Sequence, residues 1–405
     1  MLLGIALVVV AVGGLYFRRR VLEALELFGL PRRYCRLVGL LIPWLLFGLP
    51  ALVFVSVVVS IALGRDSFTV SPTGVGEWLL VYPFWIAVLV MLQTVPFLIF
   101  IDQAARVARE HLGRERISRY RAIGCLVAVA AFSLYTPACI LIERSDLHVN
   151  TYQVGTAELG QSVGADDTGE PLRIAFFADL QQDHHTDQAR VDEVVSLVNQ
   201  HNPDLILVGG DWINTGPEYI ETVARSAGNL RSRLGTFSVR GDHEHFAYRD
   251  QTRSVSEVSR ALARHGVEMV HNQVRTIEHH GKRIAIMYLS YNYIFRTPVS
   301  EIRALLERAQ DADYSILVTH QFDEKLAELV EDKVDLALIA HTHGGQVNPI
   351  IGVVHVPLAR VETPWVAGRY QLGKTTLIVT SGIGFSIAPF RYASPASIEM
   401  IDLTL

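Results

Sequence analysis

Apolar residues are spread unevenly along this 405-residue chain, and a change in their spacing divides it in two. The first third holds four stretches without a charged residue: Met1 to Phe17, Leu37 to Leu63, Trp78 to Ile101 and Ala122 to Ile142. A helix needs about 20 apolar residues to cross the hydrocarbon of a bilayer, so the last three qualify and the first stands near the lower limit. Core helices of soluble domains seldom stay free of charge over such a length. The pattern therefore predicts a transmembrane anchor region over residues 1–144, with about four spans near 1–17, 37–63, 78–101 and 122–142. Arg18, Arg19 and Arg20 follow the first apolar run instead of preceding it, the reverse of a cleaved signal peptide, which predicts a retained anchor. The spans carry no ionisable residue in their middles, so anchoring is a simpler reading than transport. Val21 to Leu30 has helical spacing, which suits either a helix along the inner membrane surface or a plain connection.

Beyond residue 144 the pattern changes. Residues 145–171 are polar and rich in Gly, Ser, Thr and Asp, which reads as a linker. From Leu172 onward, short β-branched runs alternate with amphipathic helical spacing. "RIAFFA" is followed by a predicted helix near Gln188 to Asn199, "LILVG" by one near Glu218 to Leu230, and "TFSVR" by one near Ser254 to His265. The strand-like runs "RIAIMYL", "YSILVTH", "DLALIAH", "VVHVP", "TTLIVTS" and "SIEMIDL" come next. Early βα units followed by strand-rich sequence predict a layered α/β domain built around two sheets over residues 172–405.

Charge adds an orientation. Arg18, Arg19, Arg20, Arg32, Arg33 and Arg36 follow the first span, and Arg106, Arg109, Arg114, Arg116, Arg119 and Arg121 follow the third, whereas the loop between the second and third has only Arg65. Arginine-rich loops face the cytoplasm, so the α/β domain is expected outside a bacterial plasma (inner) membrane, carried by a multi-pass anchor. A net charge of −5 argues against a nucleic-acid partner. Cys35, Cys125 and Cys139 all lie in or beside the apolar third, so any metal in the α/β domain must use nitrogen and oxygen ligands. Nothing in the sequence specifies an oligomeric state.

Five of the strand-like runs end in polar clusters: "ADLQQDHH" at 178–185, "GGDWIN" at 209–214, "RGDHEH" at 240–245, "THQFD" at 319–323 and "AHTHGGQ" at 340–346. Carboxyl ends of strands share one edge of an α/β sheet, so these residues are expected to converge. Any one cluster is an ordinary turn; five together are not. Aspartate and imidazole without cysteine suit Mn²⁺, Fe or Zn²⁺. Two such ions bridged by a carboxylate can hold a hydroxide aimed at phosphorus.

The order of the clusters resembles the calcineurin-like metallophosphoesterase superfamily, whose pattern is D-x-H, G-D-x-x-D/N, G-N-H-D/E, H and G-H-x-H. The resemblance covers residues 172–405, and "HTHGGQ" with the tail "TSGIGFSIAPFRYASPASIEMIDL" is similar to the ending of bacterial membrane-anchored members. It implies a four-layer α/β/β/α sandwich and two divalent cations, Mn²⁺ before Fe or Zn²⁺. Carried over by position, it implies one cation on Asp179, Gln181 and His343, the other on Asp242, His320 and His341, and Asp211 bridging. It gives His243 the substrate's phosphoryl oxygen or leaving group. Arg391 is a candidate phosphate-binding cation by its guanidinium fork, and Asn214 matches an accepted variant that supports its own loop or meets substrate. His184, His185 and His245 read as solvated. "YNYIF", Tyr291 to Phe295, reads as a packed strand end or as an aromatic lining for an acyl chain.

Three positions depart from the pattern. Gln181 replaces His, which exchanges an imidazole for an amide; a similar D-x-Q occurs in manganese-dependent ADP-ribose and CDP-alcohol diphosphatases. Asp242 replaces Asn, and Ala340 replaces the Gly before His341. Three carboxylates and a hydroxide neutralise two divalent cations, so Asp242 is expected to strengthen cation binding and favour hard Mn²⁺. The resulting expectation is a membrane-anchored, dinuclear-metal phosphohydrolase whose partners are the lipid bilayer and a phosphorylated, possibly lipid-linked substrate. The alternatives are a non-catalytic metal- or phosphate-binding sensor, a UDP-diacylglucosamine-type pyrophosphatase if the domain is cytoplasmic, and, more remotely, a transporter.

Overall fold

The apolar stretches lie on four long helices in a computed structural model that describes residues 2–62, 74–108, 113–155, 170–386 and 388–405. These are α1 (Leu2–Leu27), α2 (Arg32–Ala62), α3 (Tyr82–Ala108) and α4 (Arg114–Glu143). Among the described residues three, not the expected four, are long and apolar enough to cross a membrane: Arg32–Val59, Glu77–Ala108 and Arg114–Glu143. The first stretch instead begins a helix whose last third carries Arg18, Arg19, Arg20, Glu23 and Glu26. Leu46, Val88, Met91, Leu98 and Cys125 make the interior of this unit. At one end Asp102 accepts from Tyr16 Oη at 2.9 Å and Arg121 Nε at 3.0 Å, and pairs with Arg20 Nη2 at 2.9 Å. The two arginine-rich segments thus meet on one carboxylate, at the same end of the helices.

Contacts divide the chain into two units, Met1–Ile142 with Pro349–Val356 and Glu143–Asn348 with Pro357–Leu405. In the second, one sheet runs β1-β14-β2-β3-β4-β5 and the other β12-β13-β9-β8-β7-β6. The strands are β1 (Leu147–Gly155), β2 (Leu172–Phe177), β3 (Leu205–Val208), β4 (Thr236–Ser238), β5 (Val267–Met269), β6 (Gln273–His279), β7 (Lys282–Leu289), β8 (Tyr314–Thr319) and β9 (Leu336–Ile339), then β12 (Gly368–Leu372), β13 (Thr375–Val379) and β14 (Ala396–Thr404). β10 (Ile350–Ile351) and β11 (Val354–His355) form a separate hairpin. "VVHVP" therefore contributes two residues to that hairpin and joins neither sheet. The hairpin belongs to the helical unit, where Ile350 N donates to the buried Gln93 Oε1 at 3.1 Å.

Period-two burial makes the layers. Ile174 and Phe176 of β2 pack with Ile286, Tyr288, Ile316 and Leu338 between the sheets. Ala175 and Phe177 point the other way, against α5 (Gln188–Gln200), α6 (Ile220–Ala227) and α7 (Gln251–Arg264). Met287, Leu289 and Leu317 meet α8 (Val299–Ala309) and α9 (Glu324–Val330) on the far face. The expected α/β/β/α order follows. Part of the segment read as a linker proves to be a strand: β1 lies parallel to β14 from Leu147↔Ala396 to Gly155↔Thr404. Its polar residues kept it hidden, because Asn150 and Gln153 bond Glu399 and Asp402 across that pairing. Residues 156–169 of the same segment lie outside the described residues.

Candidate metal centre

β2, β3 and β4 of one sheet and β8 and β9 of the other are parallel within their sheets, and the polar clusters sit at their carboxyl ends. His320 Nε2 lies 3.5 Å from Asp211 Oδ2 and 3.5 Å from Asp242 Oδ2, and its Nδ1 lies 3.8 Å from Asp179 Oδ1. His341 Nδ1 lies 3.2 Å from Asp242 Oδ2 and 3.2 Å from His320 Nε2. Gln181 Nε2 donates to Asp211 Oδ2 at 3.1 Å. Residues from five strand ends have thus converged, on positions up to 162 residues apart.

The backbone bends sharply to do this. Asp179, Gln181, Asp211, His341 and His343 all adopt left-handed φ, between 44° and 74°. Each costs of order 1–3 kcal/mol for a non-glycine residue, and such strain collects at functional sites. Close approach of loops compensates only where side chains are missing: a Cβ on Gly241 would strike the Asp211 carboxylate, and one on Gly209 would come within 2.6 Å of the Ala340 methyl. Ala340 itself keeps negative φ, so the exchange of Gly for Ala leaves the turn intact.

Hydrogen bonds set the tautomers. His320 Nδ1 meets the Gly209 carbonyl at 2.8 Å, so that nitrogen donates and Nε2 is the atom turned to the carboxylate cluster. His243 Nδ1 donates in the same way to the Asn214 carbonyl at 2.6 Å, leaving Nε2 3.9 Å from Asp211 Oδ2. His341 turns Nδ1 to Asp242 while its Nε2 faces Glu362 Oε2 at 3.6 Å. A carboxylate on the far nitrogen is the usual support of a metal-binding imidazole.

Charge and burial fit divalent cations. Burial, with the neighbouring Asp211, pushes the Asp179 carboxyl up to about 6. Burial works against an ionised Asp242 too, yet His320 and His341 hold it well below the usual carboxylate range. Against burial, the surrounding carboxylates raise both imidazoles, His341 to about 9. Burial, aided by Arg391, holds His343 neutral, its pKa well below the ordinary value. Among the described residues, Asp179 Oδ1, Gln181 Oε1 and His343 Nδ1 are buried without a hydrogen-bond partner. Such orphaned acceptors, beside carboxylates that draw protons onto two imidazoles, suit cations. The groups Asp242, His320, His341 and Asp179, Asp211, His320 each bring three ligand atoms within 4.8 Å of one another.

Several expectations are corrected. Arg391 is no phosphate-facing cation: it is 1% exposed, and its guanidinium donates to the carbonyls of His343 at 3.2 Å, Ser394 at 3.1 Å and Gly384 at 2.9 Å. Burial lowers its pKa to about 9. Asn214 spends its amide on Asp183 Oδ2 at 2.6 Å and its backbone carbonyl on His243, which is the loop-supporting one of its two expected roles. His245, expected to be solvated, is buried, and that burial lowers its pKa to about 4. His184 is exposed as expected, whereas His185 is half-buried. Four residues escaped the sequence reading of the site. Glu244, which burial pushes up to about 7, takes N–H bonds from Asp211, Trp212 and Gly241. Glu362 faces His341. Tyr293 donates its N–H to Asp242 Oδ1 at 2.7 Å and sets its ring against His341. Asn292, fully buried, ties that loop to the Gly241 carbonyl at 2.9 Å. Glu244 stands at the last position of the G-N-H-D/E pattern and Asn292 and Tyr293 stand in the quoted aromatic run, whereas Glu362 gave no signal in the sequence.

Comparison with known proteins agrees with this geometry. The calcineurin-like phosphoesterase family matches residues 172–345. An uncharacterized metallophosphoesterase of Campylobacter jejuni is 28% identical over 237 residues, 57% of this chain and 59% of that protein. A bovine transmembrane protein with a metallophosphoesterase domain is 27% identical, covering 57% of this chain and 53% of that one. A phosphodiesterase of Escherichia coli K12 is 26% identical, covering 58% of this chain and 84% of that one. The alignments thus span little more than half the length of the first two relatives. Residues 172–345 thus match the calcineurin-like phosphoesterase family, and the strand-end aspartates and histidines of the double sheet all lie within that match.

Proposed function

We propose that this protein is a membrane-anchored, metal-dependent phosphohydrolase that cleaves a phosphoester or pyrophosphate bond of a membrane-associated substrate. The convergence of three buried aspartates with His320 and His341, beside the orphaned acceptors of Asp179, Gln181 and His343, carries this reading. Asp179, Gln181 and His343 would hold one divalent cation and Asp242, His320 and His341 the other, with Asp211 shared. Two bound cations, Mn²⁺ by the hardness of this donor set, supply Lewis-acid stabilisation and an activated water. The chain's own residues do the rest. His320 and His341 are oriented by Gly209 and Glu362. His243, with Nδ1 anchored on Asn214, points Nε2 into the site, where it can donate to a phosphoryl oxygen or return a proton to the leaving oxygen. The spans and the bovine relative's name support a membrane location, and the arginine-rich ends gathered on Asp102 support a cytoplasmic face for that end of the helices. On that orientation the phosphoesterase domain is extracytoplasmic.

The test is hydrolysis of an aryl phosphodiester and an aryl phosphomonoester by the detergent-purified full chain, supplied with Mn²⁺, Zn²⁺ or Fe²⁺. Metal-dependent turnover that falls at least 100-fold in Asp211→Asn is expected. Two bound cations without turnover of any ester would favour a binding role.

A further inference from the structure

Exposed apolar side chains are ordinary when scattered and need an explanation when they gather. Four lie at or beside the metal centre. Phe246, 39% exposed, stands edge-on to the His243 ring at 5.4 Å between centroids. Tyr293, 53% exposed, stands likewise on His341 at 4.9 Å, and Ile294 beside it is 39% exposed. Val361, 67% exposed, directly precedes Glu362, whose carboxylate faces His341. The imidazoles expected to meet a phosphate are therefore bordered by hydrocarbon.

The same stretch of chain leads to the β10–β11 hairpin. It departs after Asn348, whose amide is bonded to the Gly344 and Ala393 carbonyls, and returns at Pro357. In between, Pro349–Val356 belongs to the unit of long apolar helices, joined to α3 through Ile350 and Gln93. Gly352, at φ 70°, makes the turn, and behind it Val353 is 93% and Val354 58% exposed. Bare β-branched residues at the tip of a hairpin are unfavourable in water and favourable in hydrocarbon.

We propose that the hairpin enters the bilayer surface and that the apolar border of the metal centre takes the hydrocarbon tail of a lipid-like phosphate ester. This rests on the phosphohydrolase reading and gives its substrate class. Lipid is the occupant, and not a protein segment, because the hairpin is built into the unit whose helices have membrane-spanning length and composition. The phosphate would sit among Asp211, Asp242, His243 and His341, and the tail would lie along Phe246, Tyr293 and Val361.

The experiment uses the full chain in phosphatidylcholine vesicles with Mn²⁺ and three p-nitrophenyl alkyl phosphodiesters, methyl, octyl and hexadecyl. Scissile bond and leaving group are the same in all three, so only the tail differs. We expect kcat/KM to rise at least tenfold from methyl to hexadecyl. Val353→Asp should cut the hexadecyl value at least fivefold and leave the methyl value within twofold; since Val353 is almost wholly exposed, methyl turnover doubles as the folding control. Val361→Asp should likewise flatten the dependence on tail length. Equal kcat/KM for methyl and hexadecyl esters, or a tail preference that survives both variants, overturns the proposal while the phosphohydrolase reading stands. No turnover of any ester by the unaltered chain sinks that reading, and this inference with it.

Discussion

Asn292 lies at the end of β7, and its replacement tests whether the metal centre depends on a loop that contributes no expected ligand. Its Nδ2 donates to the Gly241 carbonyl at 2.9 Å, and its Oδ1 accepts from Ile294 N at 2.9 Å and Phe295 N at 2.7 Å. The loop so shaped presents Tyr293 N to Asp242 Oδ1 at 2.7 Å. Asn292→Ala removes three neutral hydrogen bonds worth about 1 kcal/mol each, and leaves the buried Gly241 carbonyl unpaired, so a loss of about 3 kcal/mol is expected. For a domain of this size that is a fall of about 6–12 °C in Tm. Asp242 loses its fixed orientation as well, and Mn²⁺ affinity should drop about 10–100-fold. Asn292→Asp separates hydrogen bonding from cavity formation. It keeps the volume and both acceptor bonds but sets a carboxylate oxygen against the Gly241 carbonyl, and should destabilise at neutral pH by a comparable amount. Thermal unfolding of the detergent-purified full chain and calorimetric titration with Mn²⁺ read both effects. If Asn292→Ala keeps its Tm within 2 °C and its Mn²⁺ affinity within twofold, the argument that this loop positions Asp242 is wrong.

Three further outcomes follow from the same geometry. His341 binds a proton below about pH 9, while a cation needs its neutral imidazole, so Mn²⁺ affinity should rise with pH up to that value, by up to tenfold per unit for each proton displaced; titration at pH 6, 7 and 8 with measured proton release checks this, and a flat profile would contradict it. Arg391→Lys should lower Tm by several degrees because a single ammonium cannot serve three carbonyls, yet change KM for an aryl phosphodiester less than twofold; a tenfold rise in KM would restore the phosphate-binding role assigned to it from sequence. Asp242→Asn takes one negative charge from the site and should weaken Mn²⁺ binding about tenfold, so unchanged affinity in a competition assay would show that this carboxylate is electrostatically idle.

Much of the architecture was legible because it depends on local spacing. Charge-free runs of more than twenty residues announce spans, and the short unbroken apolar runs in "RIAFFA" and "RIAIMYL" announce β2 and β7 as strands buried on both faces. The metal-site clusters were legible for a related reason, since each follows a recognisable strand. β1 was not, because its polar Asn150 and Gln153 find their side-chain partners on β14, 249 positions away. Arg391 was misread because a guanidinium shows its charge in the sequence but not its burial.

By itself the sequence determined which side chains could meet at the strand ends and that nitrogen and oxygen would have to hold any cation there. Only the tertiary structure decided which nitrogen of each imidazole faces inward, that Glu244, Asn292 and Glu362 brace the site, and that Arg391 braces the chain instead of a phosphate. These matters rest on hydrogen bonds and burial between loops from different strands, which no spacing along a single stretch of chain can encode.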